Sequence, residues 1–233
     1  MKQTEEGILL RRSNYSETSL LVTCLTYERG LQTYLFQGGK KKHGNILFPM
    51  AHLELTTFHR ADSTLGKISS VELKSGGHEI VFDPIKSTIV FFMAELLLEM
   101  LKPAHQEKYL FRFLEEETKW IAHSSHLANY PLWLTAELTK ISGIQPAIES
   151  ERPNVLDLSG KLRNVSNNYP GIFHESLHWL YDAFTRSKNE FLALTIPRDE
   201  RMICLQALLA YLKDHFAGMR ELKSLKIVQE LFN

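Results

Sequence analysis

Cysteine is scarce: only Cys24 and Cys204 occur in 233 residues, each inside an apolar run. Two thiols so far apart form no disulfide framework, so both are expected to be reduced and buried, in a reducing compartment. Net charge is missing too, because Lys plus Arg total 27 and Asp plus Glu total 27. The chain as a whole exerts no pull on a polyanion, and any affinity for one has to be local. The longest apolar stretch, Thr88 to Leu98, is interrupted by Glu95 and is too short to span a bilayer. The opening residues, MKQTEEGILLRRSNYSE, lack the apolar core of a signal peptide. A cytoplasmic protein with no membrane partner is the expectation. Loops of the types G-x-x-x-x-G-K-S/T and G-x-G-x-x-G are absent, and no serine or cysteine stands in a nucleophile setting. Nucleotide hydrolysis and acyl transfer therefore have no support.

What is present divides the chain in two. Five segments rich in β-branched and aromatic residues, at 7–12, 19–26, 31–37, 52–58 and 66–73, are each bounded by turn formers. Their alternation is only partial, which favours strands buried on both sides, and five strands in about seventy residues is the size of an OB-fold barrel. After Asp83-Pro84 the spacing turns helical: Ile89, Phe92, Met93, Leu96, Leu97, Met100 and Leu101 form one stripe that ends at Pro103. Further helices are expected at 108–122, 131–141, 173–187 and 198–216. Between 142 and 170 the chain is rich in Gly, Pro, Asn and Ser, an irregular insertion with at most a short hairpin at 157–163. The expected fold class is α+β: a five-stranded OB-fold barrel over 1–80, then an all-α domain over 81–233.

Two features could carry chemistry. Lys40, Lys41 and Lys42 lie side by side between Gly38-Gly39 and His43-Gly44, and three adjacent ammonium groups on a loop favour an anionic partner such as a phosphate backbone. A solvated turn is the alternative. Arg11 and Arg12 could extend that patch, and Tyr15, Tyr34, Phe36 and Phe48 could offer one or two faces for stacked bases. The second feature is His174-Glu175-Ser176-Leu177-His178, which fits the H-E-x-x-H pattern of zinc peptidases, with two imidazoles one helical turn apart. Against it, helical spacing turns Glu175 away from the apolar face where a catalytic glutamate is needed, and Pro197 separates the two candidate third ligands, Glu190 and Glu200.

Three stretches carry a resemblance. Gly7 to Leu20 is similar to an opening strand and turn, Tyr27 to Leu31 leading into Gln37 to Lys42 to a hairpin and basic loop, and Leu208 to Phe216 with Gly218 to Lys226 to a last helix and tail. In that order they resemble the RecO (recombination protein O) family of bacterial DNA repair proteins along nearly the whole chain. The resemblance implies an OB-fold followed by a helical domain, and a mediator rather than an enzyme. Such a mediator binds single-stranded and duplex DNA, anneals complementary strands, works with RecR, engages single-stranded-DNA-binding protein and so helps load RecA. It implies DNA contacts at Lys40, Lys41, Lys42, Arg11 and Arg12, with Arg220, Lys223 and Lys226 as a second basic strip or as helix-end charges. Many members carry a four-cysteine zinc module, but 147–170 holds no cysteine, so no metal or cofactor is expected. The alternatives from other classes are the zinc peptidase and a protein-binding adaptor whose helical domain presents a groove to a peptide.

Overall fold

The computed structural model describes residues 2–39, 45–58, 65–75, 77–103, 105–166 and 169–231. The chain divides into two compact units, Met1–Ser124 and Ser125–Asn233.

In the first unit, β1 (Lys2–Asn14), β2 (Leu20–Thr26), β3 (Gly30–Phe36), β4 (His52–Phe58) and β5 (Gly66–Ser75) close a barrel in the order β1-β2-β3-β5-β4. One long strand makes closure possible. β1 pairs with β4 over Lys2 to Ile8 and with β2 over Gly7 to Asn14, and an irregularity between Leu9 and Arg11 bends it from one partner to the other. Every pairing is antiparallel except β3 with β5, the arrangement of the expected OB-fold. Leu9, Leu20, Val22, Cys24, Tyr34, Phe36, Leu53, Leu55, Ile68 and Val71 fill the interior. Space there is tight, since a Cβ on Gly7 would stand 2.9 Å from Leu55 Cδ1. Gly30 turns the β2–β3 hairpin at φ +65°, where a Cβ would meet His105 O at 1.8 Å.

Helices α1 (His78–Val81), α2 (Pro84–Met100) and α3 (Lys108–His123) belong to the same unit. The Asp83 side chain caps α2 by accepting from the Ile85 and Lys86 amides, and Pro84 opens its first turn. The last barrel strand ends at Ser75, and the compact unit runs on to Ser124. Its helices bury apolar side chains against the strands: Phe111 of α3 meets Tyr27 and His52 edge-on, with ring centroids 5.4 and 5.7 Å apart.

His52 is buried in that contact, with Nε2 3.4 Å from Glu6 Oε2 and Nδ1 3.4 Å from Glu115 Oε1. Burial outweighs both carboxylates and lowers its pKa below the usual 6.5. A histidine lowered in the folded state gives full stability above the unfolded pKa and loses it as pH falls toward the folded one. The first unit is therefore expected to weaken as pH drops below 6.5, with His52→Gln flattening that slope. Urea midpoints measured from pH 7.5 to 5 check this, and an equal slope in the variant excludes His52 as the cause.

The second unit holds α4 (Tyr130–Ile141), a small sheet, α5 (His178–Thr185), α6 (Lys188–Leu192), α7 (Arg198–His215) and α8 (Ser224–Leu231). The apolar sides of α4 and α7 pack together, burying Leu132, Leu134 and Ala136 with Cys204, Leu205, Leu208 and Leu212. The expected all-α content needs one correction. The insertion folds as β6 (Ala147–Ile148), β7 (Val155–Asp157), β8 (Lys161–Arg163) and β9 (Gly171–Phe173), in sheet order β6-β8-β7-β9. The expected hairpin is its centre, with Val155 paired to Arg163, and β9 adds to it because Gly171 to Phe173 is extended rather than helical. The single helix expected over 173–187 starts only after a 3₁₀ turn at Glu175–Leu177 and is followed by α6, which Ser187 and Glu190 begin with a capping box.

Candidate nucleic-acid interface

Strand register decides what the barrel shows to solvent. The pairs Asn14 with Leu20, Leu20 with Phe36 and Phe36 with Ile68 place the β1–β2 turn and the end of β3 on one rim. The chain leaves β3 there through Gly38, at φ +73° with open space where a Cβ would project, and Gly39 follows. Lys40, Lys41 and Lys42 come next in sequence and lie outside the described residues.

Below this rim, Arg11 pairs with Thr23 and Thr23 with Thr33, while Ser13 pairs with Leu21, Leu21 with Leu35 and Leu35 with Lys67. Alternate residues of a strand face the same way, so these seven share the outer face while Val22, Tyr34 and Phe36 point into the core. Arg11, Ser13 and Lys67 are exposed, and Leu21, Thr33 and Leu35 are half-buried. The Thr23 and Thr33 hydroxyls are 3.1 Å apart and hydrogen-bonded. Four neighbouring strands span three spacings of about 4.8 Å, so Ser13 and Lys67 bound a band roughly 14 Å wide. Arg12 is exposed but alternates away from this face. Lys67 carried no signal in the sequence, because only the long-range parallel pairing of β3 with β5 delivers it here.

Of the aromatic candidates, Tyr34 and Phe36 belong to the barrel core and offer no face to a base. Phe48 is half-buried, with its ring against Gly77. Tyr15, in the β1–β2 turn, is 61% exposed.

Another part of the barrel has the opposite sign. Glu6 pairs with Glu54 and Glu54 with Glu72, a row of three carboxylates across β1, β4 and β5. Lys74 hydrogen-bonds Glu6 and holds its carboxyl below the usual range, against the effect of burial. Neutral overall charge thus hides a division within one barrel.

In the second unit, Arg220, Lys223 and Lys226 are exposed. Lys223 directly precedes α8 and Lys226 lies in its first turn, the end of a helix that disfavours cations. A dipole-stabilising, helix-end role is therefore wrong for these two.

The zinc-peptidase geometry is also absent. His174 is extended and caps the 3₁₀ turn, its Nδ1 accepting from the Ser176 amide at 3.1 Å. His178 begins α5, with Nδ1 2.9 Å from Glu175 O and its ring 4.5 Å from that of Trp179. The two imidazoles are not on successive turns of one helix, so the pattern is a coincidence of sequence. Among the described residues, no three metal-ligating side chains converge, and no helix is long and apolar enough to cross a membrane.

The family described as "Recombination protein O N terminal" matches residues 1–76, the whole barrel. Along its full length the chain is 27% identical over 245 residues to the DNA repair protein RecO of Flavobacterium psychrophilum, covering 100% of both chains. It is 26% identical to the RecO of Bacteroides fragilis, again over 100% of both. The RecO of Christiangramia forsetii is 25% identical, with 97% of this chain and 98% of that one aligned. The chain is similar to RecO proteins along its whole length. In this RecO-like barrel, Arg11 and Lys67 flank the β2–β3 surface, a face that OB-folds present to oligonucleotides. The RecO-like second unit carries the cysteine-free insertion as a sheet held by ion pairs, Arg163 to Asp157 at 3.0 Å and Lys161 to Glu149 at 2.7 Å.

Proposed function

We propose that this chain is a DNA repair and recombination mediator that binds single-stranded and duplex DNA and anneals complementary strands. The observation that carries this reading is the outer face of β2 and β3, flanked by Arg11 and Lys67 and bordered by the rim from which the Lys40-Lys41-Lys42 loop departs. Arg12 adds charge at the same rim, and Arg220, Lys223 and Lys226 form a second contact in the other unit. Annealing needs no catalytic residue, because base pairing supplies the driving force once cations reduce repulsion between two backbones. Local rather than global positive charge suits the task, since the strands must be released. Family resemblance adds RecR and single-stranded-DNA-binding protein as protein partners, RecA as the recombinase served indirectly, and a cytoplasmic setting.

The test is a titration with a single-stranded oligonucleotide between 50 and 200 mM salt. Each phosphate contact on a single strand contributes about 0.7 to the slope of log affinity against log salt. Replacing Lys40, Lys41 and Lys42 by Ala is expected to reduce that slope by roughly 2. An unchanged slope removes the loop from the interface. Absence of binding at low salt leaves only the protein-binding adaptor.

A further inference from the structure

We propose that Phe58 is a base-stacking residue of this barrel, and that Lys2 and Lys67, one on each side of it, hold the phosphates of the stacked nucleotide. The inference rests on the DNA-binding reading above and names the side chain that grips a base rather than the backbone. Phe58 is the last residue of β4 and is 43% exposed, outside the apolar core. Register sets it between two cations: Lys2 of β1 pairs with Phe58, and Phe58 pairs with Lys67 of β5. Partners across a ladder lie about 4.8 Å apart and face the same way. The three side chains therefore share the outer face, with both lysines exposed, while Thr57 next to Phe58 is buried on the inner side.

A single exposed phenylalanine is ordinary. The neighbours make this one a platform, because a nucleotide needs a π face for its base and cations for the phosphates on either side. Lys67 pairs with Leu35 and Leu35 with Leu21, so Phe58 continues the β2–β3 surface one strand beyond Lys67. It also stands where the chain leaves β4 for β5, and the connection between these strands is one that OB-folds use to contact oligonucleotides. Charge fixes where along the strands the DNA lies. The next outward row is Thr4, Thr56 and Ser70, all hydroxyls, and the row after that is Glu6, Glu54 and Glu72. A phosphate chain is drawn to the lysine row and repelled by the carboxylates about 13 Å further along. Stacking on a ring tolerates any sequence, since every base has a π face. Inside a duplex those faces are covered by neighbouring base pairs, so Phe58 takes hold of single strands and not of paired ones.

The experiment titrates the full-length protein with two probes of equal charge, a natural single strand and an abasic deoxyribose-phosphate strand, each about 30 units long. Phe58→Ala is expected to weaken the natural strand about tenfold, the loss of one stacked base, and to leave the abasic strand within about twofold of the parent. Its salt slope should not change. Lys67→Ala is expected to lower that slope by about 0.7 for both probes. Phe58→Trp should keep the parent's affinity, and its fluorescence should be quenched by the natural strand, beyond any change in the parent, but not by the abasic one. Natural-strand affinity of Phe58→Ala within about threefold of the parent overturns the proposal, as does an equal loss on both probes. A Phe58→Trp variant whose emission ignores the natural strand overturns it too. In each of those cases DNA binding by the parent still stands, whereas failure of the parent to bind either probe removes the DNA-binding reading itself.

Discussion

Replacing Glu5 by Ala is expected to destabilise the barrel by about 3–5 kcal/mol, the usual result of deleting one partner of a buried ion pair. The Glu5 carboxylate is 3% exposed and pairs with the Arg29 guanidinium, whose Nε donates at 3.1 Å. It also accepts from the Tyr34 hydroxyl at 3.0 Å and the Thr57 hydroxyl at 2.9 Å. Three strands and one turn meet at this side chain: Glu5 comes from β1, Tyr34 from β3, Thr57 from β4, and Arg29 from the turn between β2 and β3. Alanine leaves a guanidinium and two buried hydroxyls facing a void, and desolvation already outweighs Arg29 in pushing the Tyr34 phenol far up. Glu5→Gln, which can still accept from Tyr34 and Thr57, is expected to lose about half as much. Hydrogen exchange of β1 and β4 amides reads the effect locally. Protection within about 1 kcal/mol of the parent in Glu5→Ala would mean that barrel closure does not depend on this cluster.

In the second unit, Asp157→Ala is expected to cost about 2–3 kcal/mol, the range for hydrogen bonds to a charged group. Asp157 Oδ1 accepts from Ser159 N at 2.9 Å, Ser159 Oγ at 2.7 Å and Lys161 N at 3.0 Å, while Oδ2 faces Arg163 Nε at 3.0 Å. These bonds shape the turn between β7 and β8. Burial alone would raise this carboxyl, but the bonds from Ser159 and Lys161 and the charge of Arg163 together hold it below its ordinary 3.8. A depressed carboxylate stabilises the fold above the unfolded pKa, and that contribution disappears as pH falls through the lower folded value. Thermal melts between pH 6 and 2.5 should show the loss beginning near pH 4 in the parent and missing in Asp157→Asn. If both lose stability in parallel, the acid sensitivity of this unit lies elsewhere.

Much of the architecture was legible because it is written locally. Turn formers bound each barrel strand, Asp83-Pro84 marks the start of α2, and the stripe from Ile89 to Met100 is buried as its spacing requires. Where expectation and structure part, a short-range cap is the cause. His174 is extended and begins the 3₁₀ turn by accepting from the Ser176 amide, so it lies ahead of the helix that His178 opens, and the two histidines that looked like a metal-binding pair are not one helical turn apart. Beyond its central hairpin, the small sheet was not legible, because outer strands of two or three residues such as β6 and β9 have too few alternations to read.

By itself, the order of residues determined the barrel, the helical content and the likeness to RecO proteins, since these follow from periodicity, turn chemistry and motif order along the chain. Only the tertiary structure decided which side chains share a surface. Lys67 reaches the face of Arg11 through the parallel pairing of β3 with β5, where Leu35 partners Lys67, Tyr34 turns inward, and three glutamates line up across β1, β4 and β5. Register is the reason: a slip of one residue in any ladder sends every side chain of that strand to the opposite face.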